Sequence, residues 1–234
     1  GAWAVVVEGQ PLRFSGKAQR RPLFLLHSLL ARGGRPVPVA LLRKAMGEST
    51  EDGEGHYSRG AFDMALSRLR QMLALPGLLR LEEGHLSLDE QLCWVDAWAC
   101  ERLLGLADAH PECGQALLER ALRVYEGEFL AGEESAWVIL TRERIRARLL
   151  RVVRRVGVSL EADGRWAEAG ELYERLREGF PLDEDLCLHL IRSHVRRQEY
   201  VQAAGLYARC RELLARVLGV LPNPAIRALL EAAS

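Results

Sequence analysis

The sequence predicts a mostly α chain in two parts, an α+β front over residues 1–90 and an all-α helical-repeat part over residues 91–234. Three observations predict it. Short β-rich runs bounded by turn residues occur only ahead of Asp89. One amphipathic helix with arginines on its polar side lies between them. The second part resembles itself at an offset of 34 residues.

Taken in order, Trp3 to Glu8 is β-rich, Gly9-Gln10 is a turn, and Pro11 to Ser15 returns as a second strand. From Lys17 to Arg32 the spacing of Leu23, Leu26, His27, Leu29 and Leu30 is helical, and Gly33-Gly34 stands where a helix stops. His27 reads as a core-edge residue. Pro36 and Pro38 frame a short extended link, Val39 to Met46 is a second helix, and residues 47–57 are a polar, acidic loop. A third helix spans 58–73. At about 100° per residue it places Phe62, Leu66, Leu69 and Leu73 on one side, with Ala65 and Met72 beside them. Gly60, Met64, Ser67 and Gln71 fall opposite, with Arg68 on one flank and Arg59, Asp63 and Arg70 on the other. A ribbon over 78–88 follows, its tip Glu82-Glu83-Gly84-His85 acidic and Arg80 its one obvious cation. Hairpin, helix, short helix, loop, helix and ribbon make the layout of a winged helix-turn-helix.

After Asp89 the segments 96–107, 112–125, 134–160, 167–180, 184–198, 200–218 and 224–232 all read as helices. Ala169 and Tyr173 recur as Ala203 and Tyr207, with Trp166 on Tyr200, at the period of the tetratricopeptide repeat. In that register Gly157 takes the small-residue slot of the first helix of a hairpin, and Pro181 terminates the second helix. Ile191 and Ala215 replace them in the second copy, so the repeat is degenerate.

Composition narrows the function classes. A chain of 234 residues with 49% hydrophobic and 27% charged residues is globular rather than disordered. Its apolar runs fall short of the ~20 residues a membrane helix needs, and no signal peptide opens it, so a cytoplasmic protein without a membrane partner is expected. Five dispersed cysteines with no CxxC pair fit reduced core thiols. The net charge is zero, with 12 Lys/Arg against 10 Asp/Glu up to residue 90 and 20 against 22 beyond it. No initiator Met precedes Gly1, and the chain reads as a piece of a longer polypeptide.

No phosphate-binding loop, nucleophile elbow or zinc-binding HExxH occurs, and no catalytic constellation, metal site or cofactor is expected. Cys187, His189 and His194 lie at spacings that spread them around a helix rather than onto one metal. Glu133-Glu134 and Asp183-Glu184-Asp185 stand at helix starts, where carboxylates favour the dipole. The arginines at 142, 144, 146, 148, 151, 154 and 155 wind around a helix and read as a solvated, ion-paired face.

The chain also resembles a known arrangement over nearly its whole length. Gly16-Lys17-Ala18-Gln19-Arg20-Arg21-Pro22-Leu23, Ser67-Arg68-Leu69-Arg70 and Gly84-His85-Leu86-Ser87-Leu88-Asp89 resemble the OmpR-type winged helix of bacterial activators. Cys93-Trp94-Val95-Asp96, Tyr125-Glu126-Gly127-Glu128-Phe129-Leu130, Trp137 with Arg142 and Arg144, and Leu218-Gly219-Val220-Leu221-Pro222 resemble the bacterial transcriptional activator domain fused behind it. The pairing occurs in antibiotic-regulatory-protein activators and at the C-terminus of large regulators with upstream nucleotide-binding and sensor regions. The resemblance implies a non-enzymatic regulator that binds double-stranded promoter DNA, often as side-by-side copies, and contacts RNA polymerase. Its helical domain would self-associate or transmit a signal. By position it carries Arg68 and Arg70 over as arginines of the recognition helix, and Lys17 with Arg20 as basic residues before the first helix. The second helix departs from the family, with Ala45-Met46-Gly47 in place of a Leu-Trp-Pro ending.

In the combined reading Ser67 and Gln71 meet base edges, Arg59, Arg68 and Arg70 anchor phosphates, and Arg80 anchors the wing. The alternative is an interaction module whose winged helix and repeats bind protein, which zero net charge and the acidic wing favour. A small-molecule pocket in the helical part is a third option, with no residue signature of its own.

Overall fold

A computed structural model describes residues 4–7, 9–12, 20–48 and 59–232. Gly9, at φ +78°, turns the chain between β1 (Val6–Val7) and β2 (Gln10–Pro11), an antiparallel pair that leaves out Ala4, Val5 and Leu12 among the described residues expected as strand. The expected continuation through residues 13–15, the start of the first helix at Lys17 and residues 49–58 ahead of the third helix lie outside the described residues, whereas Gly47 and Glu48, expected in the polar loop, belong to the second helix.

The first helix, α1 (Arg20–Ala31), buries Leu25, Leu26 and Leu29 along one face. Gly33 and Gly34 end it in the left-handed region, and the Gly34 amide donates to the Leu29 carbonyl at 3.0 Å. Gly34 is needed a second time, because a β-carbon there would stand 2.6 Å from the Trp98 ring. The Trp98 indole N–H caps the same helix end at the Leu30 carbonyl, 2.9 Å away.

The link expected around Pro36 and Pro38 is a strand, β3 (Val37–Pro38), leading straight into α2 (Val39–Glu48). It pairs with β5 (His85–Leu88), which pairs with β4 (Leu79–Glu82), giving a three-stranded sheet in the order β3-β5-β4. Proline is tolerated because β3 is an edge. Glu83 and Gly84, at φ +46° and +75°, make the two-residue turn that suits the twist of the ribbon. Between the strands lies α3 (Arg59–Leu73), with Phe62, Ala65, Leu66, Leu69 and Leu73 buried against Leu25, Leu29, Leu42 and Leu86.

The expected helices after Asp89 form as α4 (Asp96–Ala109), α5 (Gly114–Val124), α6 (Ala136–Ala162), α7 (Trp166–Arg177), α8 (Glu184–Arg196), α9 (Tyr200–Leu218) and α10 (Pro224–Glu231). The chain parts into two compact units, Gly1–Leu103 with Arg120–Arg146, and Leu104–Glu119 with Ala147–Ser234. In the second unit a β-carbon on Gly157 would fall 2.1 Å from the Tyr173 hydroxyl oxygen. Glycine on α6 is what admits that fully buried ring from α7, beside fully buried Ala169. The Tyr173 hydroxyl donates to Glu161 at 2.8 Å, and His189 and Arg192 of α8 reach the same carboxylate. In the second hairpin Ile191 fills the glycine's place, fully buried, and Tyr207 is left half-buried. Asp183 caps α8 through the Leu186 amide, as its position at a helix start implied. His194 pairs with Glu199 rather than with Cys187 or His189. No helix of the described residues is long and apolar enough to cross a membrane.

Candidate nucleic-acid interface

The 3.6-residue period of α3 leaves Gly60, Asp63, Met64, Ser67, Arg68, Arg70 and Gln71 exposed opposite its buried face. Ser67 and Gln71 follow one another down the middle of that surface, one turn apart, with Arg68 beside them. Ser67 offers a short donor and acceptor, and the Gln71 amide offers both along one edge, which is the chemistry a base edge can answer. Met64, 56% exposed, sits between Gly60 and Ser67 and gives the same surface an apolar spot. The period places Met64 there, but its apolar side chain drew no role from sequence.

The arginines divide into two kinds. Arg68 is exposed. Arg70, also exposed, donates to the Leu79 carbonyl at 3.3 Å and so spans from α3 to the first wing strand. Arg80 stands on the wing half exposed, its guanidinium held by the Asp89 carboxylate. Asp89 is 9% exposed and also accepts from the Gln91 amide at 3.0 Å, so it is a fixed counterion. The wing tip beyond is formed by exposed Glu82, Glu83 and His85, and the His85 Nδ1 contacts the Glu83 carbonyl at 3.0 Å. Arg20 opens α1 and is exposed, Arg59 opens α3, and Lys17 lies outside the described residues.

The support beneath this surface comes from farther along the chain. Thr141 donates to the Ala31 carbonyl at 2.8 Å, the Arg32 guanidinium lies 4.3 Å from the centre of the Trp137 ring, and Phe24 packs on the same ring. Arg142, 18% exposed, donates to the carbonyls of Phe129, Leu130 and Glu133 at 3.1, 2.8 and 3.2 Å. It thereby holds the loop between α5 and α6, whose Glu133 carboxylate meets His27 at 3.2 Å. Most of the other arginines of α6 pair with carboxylates while staying partly in solvent: Arg144 on Glu101, Arg148, Arg151 and Arg155 on Asp108, and Arg154 on Asp183 and Asp185. That is the ion-paired face expected from the sequence.

Comparison with known proteins agrees with this architecture. Residues 95–233 match the family described as bacterial transcriptional activator domain. The chain is 32% identical over 225 residues to regulatory protein AfsR of Streptomyces coelicolor, covering 92% of this chain and 22% of that protein. It is 29% identical over 223 residues to regulatory protein AfsR of Streptomyces griseus, with the same coverage of 92% and 22%. The chain thus spans about a fifth of the length of these relatives. Among solved structures, Mycobacterium tuberculosis EmbR in complex with a low-affinity phosphopeptide superposes with a TM-score of 0.68 at 22% identity, over 97% of this chain and 62% of that one.

Proposed function

The chain belongs to the bacterial transcriptional activator domain family, and from that premise we propose that it is a promoter-binding activator whose α3 enters the major groove. The observation that carries the reading is the outer face of α3, where Ser67, Arg68 and Gln71 are exposed together above a fully packed inner face. Ser67 and Gln71 meet base edges, Arg68 and Arg59 meet phosphate, and Arg70 both braces the wing and faces the backbone. Arg20, with Lys17 ahead of it, adds phosphate contacts before α1. Residues 1–90 form the DNA-binding part, and 91–234 serve self-association, contact with RNA polymerase, or transmission of a signal from other regions of the polypeptide.

Few phosphate contacts means a modest, salt-sensitive affinity. Fluorescence anisotropy on duplex promoter DNA between about 50 and about 200 mM salt should give log affinity falling with log salt at about 0.9 per phosphate neutralised. No binding at the lowest salt overturns the reading.

A second reading, a protein-interaction module, is favoured by the wing. Its tip is acidic and Arg80 is already engaged by Asp89. A stable dimer in light scattering without DNA binding would establish that reading in place of the first.

A further inference from the structure

A cavity of about 620 Å3 opens in the unit that carries α1 and α3, and the DNA reading makes no use of it. Leu26 and Leu30 of α1, Leu73 at the end of α3, and Leu78 and Leu88 at the base of the wing line it from one direction. The Trp94 to Ala97 segment with Cys100, and residues 124–130 from the end of α5 onward, line it from the other. The volume and the mostly apolar lining are those of a small-molecule site.

Its charged lining has one sign. Asp96, Glu126 and Glu128 are the ionised residues of the described lining, which contains no lysine or arginine. All three are exposed at the mouth of the cavity; Asp96 also accepts from the Ala97 amide at 2.7 Å, Glu128 lies 3.7 Å from Arg142, and Glu126 is the carboxylate most open to a ligand. Burial leads the upward shifts of the lining thiols and phenol, and neighbouring carboxylates add to it. Burial pushes the Cys100 thiol up to about 12, with Glu101 and Asp96 adding to it. Burial and then Glu128 raise Tyr125, against the opposing pull of Arg146 and Arg142. Trp94, 69% exposed, is a large ring left partly in water beside these carboxylates, and Phe129 and Tyr125 add aromatic faces. Apolar walls, aromatic faces and carboxylates favour an organic cation and disfavour a carboxylate of the same shape.

We propose that this cavity binds a small amphiphilic amine, its apolar body against Leu26, Leu30 and Leu88 and its ammonium group towards Glu126 and Asp96. The ligand shares its walls with the end of α3 and the base of the wing, so occupancy shifts DNA affinity. That effector role rests on the DNA-binding reading, whereas the ligand site does not.

The test uses two naphthyl probes of similar shape and opposite charge, 1-naphthylmethylammonium and 1-naphthylacetate, titrated calorimetrically into the chain. The amine should bind saturably, one per chain, and the carboxylate at least about tenfold more weakly. Iodoacetamide labelling resolved by peptide then locates the amine. Cys93, which lines the cavity, should be protected several-fold, and exposed Cys113 should react at an unchanged rate. Glu126→Gln, at an exposed position, should leave thermal unfolding unchanged and shrink the amine preference several-fold. Equal binding of the two probes, no saturable amine binding, or Cys93 labelling unaffected by the amine each overturns the site. If the amine binds and DNA affinity does not move, the effector role falls and the site stands. If the chain binds no DNA at all, the site is judged by calorimetry and labelling alone.

Discussion

Helices α3 and α6 carry three and seven arginines, and they spend them differently. On α6 the guanidinium groups of Arg142, Arg144, Arg148, Arg151, Arg154 and Arg155 pair with carbonyls of the loop before the helix or with carboxylates such as Asp108 and Asp183. On α3, Arg68 is exposed on the outer face and Arg70 makes one long bond to a strand carbonyl. The arginine-rich helix is therefore not the proposed nucleic-acid surface. A guanidinium already paired with a fixed carboxylate brings little uncompensated charge to a phosphate, so net charge and arginine counts are poor guides to a DNA footprint.

Substitutions test that contrast. Arg142→Ala carries the largest effect, because it strands three carbonyls beneath a mostly buried guanidinium. A loss of about 2 to 4 kcal/mol in chemical denaturation is expected. A loss below about 1 kcal/mol would mean that the loop holds itself. Arg68→Ala should do the reverse, leaving stability within about 0.5 kcal/mol. Its DNA affinity should fall by about 1 to 3 kcal/mol, with the salt slope shallower by about 0.9. Unchanged binding and slope would remove Arg68 from the interface.

Arg80→Ala tests the intermediate case. With Asp89 already opposite it, DNA affinity should drop by less than about 1 kcal/mol; a loss equal to that of Arg68→Ala would show that the pair opens on DNA. Arg151→Ala removes an exposed partner of Asp108 and should change stability by no more than about 1 kcal/mol and DNA affinity not at all. Finally, burial holds the His27 imidazole below its usual 6.5 despite the Glu133 carboxylate. The unfolded chain then takes up that proton first, so the His27 contribution to stability is present above pH 6.5 and is lost as pH falls from there towards the depressed value. His27→Gln should flatten that part of the acid-side stability profile.

Both faces of α3 were legible in the sequence because a single period sorts core from solvent. The repeat was legible too, since Gly157, Ala169 and Tyr173 are one packing event, and a ring that fits only against glycine leaves its mark on all three positions. Strand β3 was not, because two residues carry no alternation and its partner lies 49 positions away, Val37 on Leu86. The Arg80–Asp89 pair was hidden for a similar reason. Their approach depends on strand register and on the turn after Leu88, and no spacing rule links positions nine apart. The capture of loop carbonyls by Arg142 leaves no pattern at all, because backbone acceptors have no identity in a sequence.

The lodging of Trp98 against Gly34 bears on modularity. A fragment cut at residue 90 would lose the indole that caps α1, the Thr141 hydroxyl at the Ala31 carbonyl and the Trp137 ring beneath Phe24 and Arg32. The winged-helix part is thus not a cassette that can be grafted alone onto another regulator. A chimera would have to carry its helical neighbour at least through Arg142, or supply a tryptophan at the same place and keep glycine opposite it.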